Sequence, residues 1–458
     1  MARRLNKAAK GNGSRFPPPY YLKRLVVRNA RCFADVDLSF MRDHAPRMKT
    51  VIVGENGHGK TSLLRAIAIG LCQQREASAL MGELSGSFVR RNKAGNYQTQ
   101  AEIIVDLYDT TDPKQEVSTR TIVTRDLSGQ EVVSKTLTPK ELDWRRVFIG
   151  GYGVNRGARH REARPGYSRL DAARSLFTDN TSLLDPEGTL RAISLADPSG
   201  NRGLVKSVKA QLRALFDLNP NHEIEVKPST VLVHGPWGTM PFHALGDGYR
   251  GTAGWVLDLL GMALADGRLE DLKELRGVVL LDEIDEHLHP SWQRRLLDSL
   301  SKRFPKLQII GTTHSAMTIV ECRPDELIAC ELKNAVAKAV QDLGDPSGRT
   351  ADEILRGRWF GLSSTLDRGS ERLLKKYQKA VENRRPEAEL RPIREKLRDR
   401  LRWRFDSPLD ELALEIAAEV RHQLRAQTPA GERKRLVEQA ANRLRERIAK
   451  SGLGRSRK

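Results

Sequence analysis

Gly54-Glu-Asn-Gly-His-Gly59-Lys60-Thr61 follows the apolar run Thr50-Val-Ile-Val-Gly54 and leads into Thr61 to Leu71, where Leu64, Ile67, Ala68 and Leu71 recur at helical spacing. A short buried strand, a glycine-rich loop and a helix are the context that the spacing GxxxxGK[ST] requires of a phosphate-binding loop. The glycines let successive backbone N–H groups curl round phosphate oxygens, and the helix N-terminus adds the positive end of its dipole. Lys60 is placed to reach the β- and γ-phosphates of a nucleotide, and Thr61 to ligate Mg2+. Gly54, Asn56, Gly57, Gly59, Lys60, Thr61 and Ser62 are the candidate contacts on this loop.

Further along, Val278-Val-Leu-Leu281 reads as a second buried strand with Asp282 and Glu283 at its carboxyl end. There Asp282 can hold Mg2+ through its water, and Glu283 can orient the water that attacks a γ-phosphate. Paired acids at a strand end are common as capping or solvated groups; their place after a phosphate loop is what turns the reading to chemistry. Gln308-Ile-Ile310 is the next buried strand and closes in Gly311-Thr-Thr-His314-Ser315, where His314 can hydrogen-bond a γ-phosphate and report its presence. Leu245-Gly-Asp-Gly-Tyr-Arg250 precedes an apolar helical stretch from Ala253 to Ala265, so glycine-flanked polar residues at a helix start again suit an anion. Asp285-Glu-His287-Leu-His289 contains an HxH pair without a distant ligand, which is a weak basis for a metal cluster, and a loop between subunits beside the nucleotide accounts for it better.

The rest of the chain bounds these readings. Val36-Asp-Leu38-Ser-Phe40 alternates as a half-buried strand, Glu102 to Leu107 and Ser118 to Thr124 read as strands, and a helix spans about 291–304. Residues 1–20 read as a disordered basic arm, 21–345 as the core, 151–243 within it as an insertion, and 346–458 as a basic helical region. In that last region Leu390, Ile393, Leu397 and Leu401, then Leu409, Leu412, Ile416, Val420 and Leu424, then Ala440, Leu444 and Ile448 form apolar stripes. The 458 residues carry 78 Lys and Arg against 58 Asp and Glu, a formal charge of +20, so nucleic acid is the expected polyanion partner. Residues 371–404 alone hold thirteen basic against six acidic side chains. Aromatic residues are only 5%, which argues against recognition by rows of stacked rings. No run of 18 apolar residues occurs, no secretory leader is evident, and four cysteines without a CxxC pair suit a reducing compartment, so a cytoplasmic protein without a membrane span is expected.

The order of phosphate loop, Leu-Gly-Asp-Gly-Tyr-Arg250, Asp282-Glu283, Asp285 loop and His314 resembles the ABC-type ATPase heads of the SMC, RecF and OLD families. Leu25-Val-Val-Arg-Asn29-Ala-Arg31-Cys-Phe33 resembles the first strand of those heads, and the matching motifs run from about Leu22 to Glu331. Asp282-Glu-Ile-Asp-Glu-His-Leu-His-Pro290 together with Asp-Gly-Tyr-Arg250 looks most like ATPases of bacterial anti-phage systems, the ATPase subunit of Septu-type systems and of retrons among them. Arg349-Thr-Ala-Asp-Glu-Ile-Leu355 through Phe360-Gly-Leu362 is similar to a segment those proteins carry after the head.

The resemblance implies an α/β fold of the P-loop NTPase, ABC-ATPase type: a mixed sheet core with an antiparallel β subdomain and helical insertion, plus a C-terminal α-helical region. It implies ATP and Mg2+ as ligands and hydrolysis as the activity, with Glu283 and His314 catalytic, Thr61 and Asp282 at the metal, and Asn29 and Arg31 at family positions that contact nucleotide. It also implies a head-to-head homodimer in which Gly246, Asp247, Gly248 and Asp285 of one subunit complete the other's site. Two departures stand out. The family's signature serine is Gly246 here, which removes one charge-assisted bond worth about 1.5–3 kcal/mol. The usual loop glutamine has no counterpart, although Gly150-Gly-Tyr-Gly-Val-Asn-Arg156 stands near where it belongs. Neither an OLD-type Toprim pattern nor an HNH pattern is present, so a separate nuclease or other effector is expected, with the C-terminal helices either its docking surface or a surface for packing onto the head or for self-association. The readings left are a regulatory ATPase of phage defence, a RecF-like repair ATPase, the ATP-binding subunit of a transporter, and a scaffold that holds ATP without turnover; the insertion and basic tail speak against the third and the intact Glu283 against the fourth.

Overall fold

The computed structural model describes residues 16–400 and Asn442, apart from 93, 127, 157–159, 162–165, 198–202, 216–221 and 384. The chain divides into two compact units, one ending at Leu362 and one beginning at Ser363.

The first unit is organised on an eleven-stranded sheet. From edge to edge its strands are Glu131–Thr138, Val117–Arg125, Gln100–Asp109, Tyr20–Ala30, Phe33–Ser39, Val336–Val340, Leu327–Lys333, Lys49–Gly54, Leu307–Thr313, Gly277–Leu281 and Ile149–Tyr152. The first five pair antiparallel. The last five pair parallel, and Gly277–Leu281 and Leu307–Thr313 are buried at every residue, as central parallel strands covered on both faces should be. The two halves share one ladder pair: Val336–Val340 lies antiparallel to Leu327–Lys333 and pairs with the antiparallel half at Ala337 and Phe33.

Sequence periodicity and structure agree closely around the phosphate loop. Along Lys49–Gly54, Val51 and Val53 enter one core and Ile52 the other, so the sheet separates two apolar layers. The helix Lys60–Leu71 lies in the second layer, buried along most of its length. Its Gly70 packs directly on Val105 of the antiparallel half, leaving no room for a Cβ. Pairing of the first strand with Phe33–Ser39 begins only at Arg24, so Leu22 has no ladder partner on that side. The fully buried Gln308 fills that gap: its Oε1 accepts from Leu22 N–H at 2.7 Å, and its Nε2 donates to the carbonyls of Leu22 and Arg47, each at 3.0 Å.

Between Tyr152 and the helix Asp247–Ala265 the chain forms helices Pro186–Ala196 and Leu204–Leu215 and a small antiparallel sheet of Glu223–Val226, Val231–Gly235 and Gly238–Pro241. Leu190, Ile193, Val208, Leu212 and Val233 continue the same apolar layer as Leu257 and Leu260 of the long helix. The helix Ala351–Arg356 also packs there, since Ile354, Trp359 and Phe360 join this core. The first unit therefore runs past residue 345, where the sequence reading placed the end of the core, because three large apolar side chains after that point are buried in it.

The second unit contains the helices Arg368–Glu382 and Glu387–Arg400, which pack on each other. Asp367 caps the first by accepting from the N–H groups of Gly369 and Ser370 at 2.9 and 3.1 Å. The stripe Leu390, Ile393 and Leu397 falls on the second; Leu401, the two later stripes and residues 1–15 of the basic arm lie outside the described residues. Among the described residues no helix is long and apolar enough to cross a membrane. The core is the expected α/β one, with a mixed sheet, an antiparallel flank and a helical insertion.

Candidate functional site

The phosphate loop starts where the Lys49–Gly54 strand runs out. Gly54 has φ +141°, and a Cβ there would collide with the Cys330 carbonyl oxygen. Gly59 has φ +95° as the residue before the helix, and its Cβ would lie 2.5 Å from Cys32 Sγ and the Phe33 ring. Both positions need glycine for conformation and for space. His58 anchors the loop from the side, its Nδ1 donating to the Cys330 carbonyl at 3.1 Å. Lys60 is buried and arches back over the loop, Nζ donating to the carbonyls of Gly54 and Glu55 at 2.9 and 3.0 Å. Burial draws its ammonium below the usual lysine value, while the nearby Asp282 and Glu283 pull the other way.

Asp282 sits at the end of the parallel strand Gly277–Leu281, two strands from the loop, and is 4% exposed. Its carboxylate accepts from Thr61 Oγ1 at 2.7 Å and from Thr312 Oγ1 at 2.6 Å, and its N–H donates to the Tyr152 carbonyl at 2.8 Å. A hydroxyl and a carboxylate converging in this way are hard oxygen donors, a set that suits Mg2+. Glu283 follows with φ +46°, its N–H bonded to Thr312 Oγ1 at 2.8 Å. Burial, with the adjacent Asp282 second, raises its carboxyl above the ordinary glutamate value. His314, at the end of the strand Leu307–Thr313, brings Nε2 to 3.6 Å from Glu283 Oε1. Burial and the Lys60 charge lower its imidazole, which favours the neutral form.

These groups border one cavity of about 470 Å³, whose walls include Arg31, Asn56, Gly57, Gly59, Lys60, Thr61, Ser62, Asp282, Glu283 and His314. Arg31 enters from the turn after the first strand with φ +53°, its Nη1 donating to the carbonyls of Ser85 and Ser87 at 3.3 and 3.1 Å. Asn29 is not part of the cavity wall; φ is +50° there, and its carbonyl accepts from the Arg90 N–H at 2.8 Å.

Gly246, Gly248 and Asp285 are not among the described residues that border the cavity of their own chain. Gly246 is exposed and precedes the helix Asp247–Ala265 without a side-chain cap. A Cβ on Gly248 would lie 2.6 Å from the His287 carbonyl oxygen, so that glycine lets the helix start press against the Asp285 loop. Asp285 is 8% exposed, and its Oδ1 has no hydrogen-bond partner among the described residues. His289 is accounted for locally: its ring nitrogen accepts from the Ser291 N–H at 3.3 Å and caps the helix Pro290–Arg303.

Two residues were not singled out by the sequence motifs. Thr312 binds Asp282 and Glu283 at once, and the available signal was a hydroxyl near the carboxyl end of a buried strand. Arg156 is buried, and its guanidinium donates to the backbone carbonyls of Asp282 and Glu283. It ends the segment that lacks a glutamine.

A family model described as "AAA domain, putative AbiEii toxin, Type IV TA system" matches residues 49–321. Among curated proteins, the chain is 24% identical over 363 residues to "Septu protein PtuA" of Bacillus mycoides, covering 76% of this chain and 45% of that one. It is 59% identical over 39 residues to "Retron Ec83 probable ATPase" of Escherichia coli, covering 8% of this chain and 7% of that one. The chain thus spans less than half the length of these curated relatives. Among solved structures, an SMC head bound to the C-terminal winged-helix domain of ScpA aligns over 70% of this chain and 97% of its own, at 16% identity and a TM-score of 0.45.

Proposed function

The chain belongs to this AAA-domain family, and on that premise we propose that it binds ATP with Mg2+ in the cavity beside Lys60 and hydrolyses it, as the regulatory ATPase of an anti-phage defence complex that controls a separate nuclease or other effector. The observation that carries the chemistry is the meeting of Lys60, Thr61, Asp282, Glu283 and His314 around one space, drawn from the ends of three parallel strands and the helix after the first.

Each residue has a defined task. The loop N–H groups and the helix start bind phosphate oxygens, and Lys60 turns its Nζ from the loop carbonyls to the β- and γ-phosphates. Thr61 and Asp282 would hold Mg2+, which when bound neutralises phosphate charge. Glu283 orients the attacking water and accepts its proton, for which a raised pKa suits a base working near neutral pH. Neutral His314 donates a hydrogen bond towards the γ-phosphate. Gly246, Gly248 and Asp285 are not among the described residues that border this cavity, which supports a reading in which a second copy of the chain supplies them to complete the site. The names of the relatives support a place in defence, and the basic surplus supports contact with nucleic acid in the cytoplasm. A RecF-like repair ATPase would share every step above, and a gene neighbourhood without an effector would favour it.

Steady-state ATP turnover with and without duplex DNA tests the proposal, with Glu283→Gln as control. Loss of about 100-fold or more in the variant with nucleotide affinity retained is expected. Turnover equal in the two proteins would reject hydrolysis at this site, and indifference to DNA would remove nucleic acid as the direct regulator.

A further inference from the structure

We propose that Arg156 is a positioning residue for Glu283: its buried guanidinium, fixed on the carbonyls of Asp282 and Glu283, holds the glutamate backbone in a left-handed turn that aims the carboxylate into the cavity. The inference rests on the hydrolytic reading of Glu283 given above.

Glu283 has φ +46°, a region that residues other than glycine rarely occupy. Such a conformation persists where the surroundings over-determine it. Here they do so from both sides. On the amino side the Glu283 N–H is bonded to Thr312 Oγ1 at 2.8 Å, and the next N–H, of Ile284, is bonded to the Thr312 carbonyl at 2.9 Å. On the carboxyl side Arg156 Nη2 donates to the Glu283 carbonyl while Nη1 donates to that of Asp282. A planar fork that spans two consecutive carbonyls fixes the two peptide planes flanking the Glu283 Cα relative to each other, which a single-point donor cannot do. Arg156 is 7% exposed, so its charge is retained at a desolvation penalty that lowers its pKa, offset by the carboxylates of Glu286, Asp282, Asp285 and Glu283 around it.

The place of Arg156 in the chain gives the contact a second consequence. It lies four residues after Tyr152, whose carbonyl accepts the Asp282 N–H at 2.8 Å and whose hydroxyl donates to the buried Asp258 at 2.9 Å. Asp258 belongs to the helix Asp247–Ala265. The segment that fixes Glu283 is thereby tied to the helix that begins at the glycine-rich turn, and a shift of that helix reaches the glutamate through Tyr152 and Arg156.

Arg156→Gln and Arg156→Lys in the full chain test the proposal by three readouts. Turnover of Arg156→Gln should fall about 10–100-fold while nucleotide affinity stays within about twofold, because the phosphate loop is untouched. The acid limb of its pH–rate profile should move to higher pH, since a positive charge near Glu283 is gone. Arg156→Lys keeps the charge but loses the fork, so its limb should stay in place while turnover is still reduced. The third readout needs no hydrolysis: amide exchange over 278–288 should accelerate in both variants as the turn loosens. Exchange unchanged in a folded Arg156→Lys would overturn the proposal whether or not the wild type turns over ATP. Equal turnover of wild type and Glu283→Gln would instead defeat the hydrolytic reading alone. If Arg156→Gln does not fold, Arg156→Lys with wild-type turnover and exchange is the result that overturns it.

Discussion

Around Asp282 the chain supplies its own partners: Thr61, Thr312 and Arg156 grip the carboxylate and the backbone of the acid pair from three directions. Three residues further on, Asp285 buries a carboxylate oxygen without a partner among the described residues, and the nearby helix starts at an exposed, uncapped Gly246. One region is preorganised for charge within a single chain, which is how electrostatic stabilisation is best supplied. The other keeps hydrogen-bonding capacity unused, which is uncommon for a buried group. The contrast separates a region satisfied within one chain from one with polar capacity left over, the region that the proposed second copy would engage.

The strongest way to break the finished end is through its glycines. Gly59→Ala places a Cβ 2.5 Å from Cys32 Sγ in a left-handed position, while Gly57→Ala at φ +79° meets open space. Backbone strain alone costs about 1–2 kcal/mol, and overpacking adds about 1–3 kcal/mol. Denaturant midpoints should therefore fall by clearly more for Gly59→Ala, with nucleotide binding lost; equal midpoints would mean the loop is held less tightly than its geometry indicates. At the unfinished end, Gly246→Ser has room, the nearest atom to its Cβ being Tyr249 Cδ2 at 3.8 Å. It should strengthen ATP-dependent self-association by about tenfold, read by sedimentation in a Glu283→Gln background. An unchanged association constant would place the shortfall elsewhere.

Asp285→Asn removes a carboxylate that offsets the buried Arg156 charge and also relieves a buried oxygen without a hydrogen-bond partner, so the Tm of the isolated chain should move by no more than about a degree. A large drop in Tm would show that the carboxylate is already satisfied. The smallest effect concerns Glu283, whose folded-state pKa is raised, chiefly by burial. A raised carboxyl stabilises the fold below its unfolded value of about 4.3, and that stability is lost as pH rises through the folded pKa. Glu283→Gln should melt slightly higher than wild type at neutral pH, with the difference gone below about pH 4. For the same reason the acid limb of turnover should lie above the usual carboxylate range.

Much of this was legible in the sequence because the signals were local. The run from Thr50 to Leu71 contains strand, turn and helix in one stretch, and the structure places them at Lys49–Gly54 and Lys60–Leu71. Val278–Leu281 and Gln308–Ile310 stood out as apolar runs and lie side by side as parallel strands. What the sequence withheld depends on residues distant in the chain. Thr61 and Asp282 are 221 positions apart, and Arg156 reaches across 126 to find the Asp282 carbonyl. A guanidinium that binds backbone leaves no pattern at its target, because every residue has a carbonyl. Asn29 shows the converse: it matches a family motif, yet it is not among the described residues that line the cavity, and its carbonyl is bonded to the Arg90 N–H.

The ladder pair between Phe33 and Ala337 gives the cavity a mechanical meaning. Arg31 and Cys32 approach it from the antiparallel half of the sheet, Lys60 and Asp282 from the parallel half. A molecule that touches both walls is a rivet across a seam that the sheet closes with one ladder pair. By reciprocity, whatever prises the halves apart loosens the rivet, and whatever sets the rivet stiffens the seam. Load applied to either half would then be felt as a change in grip on that molecule.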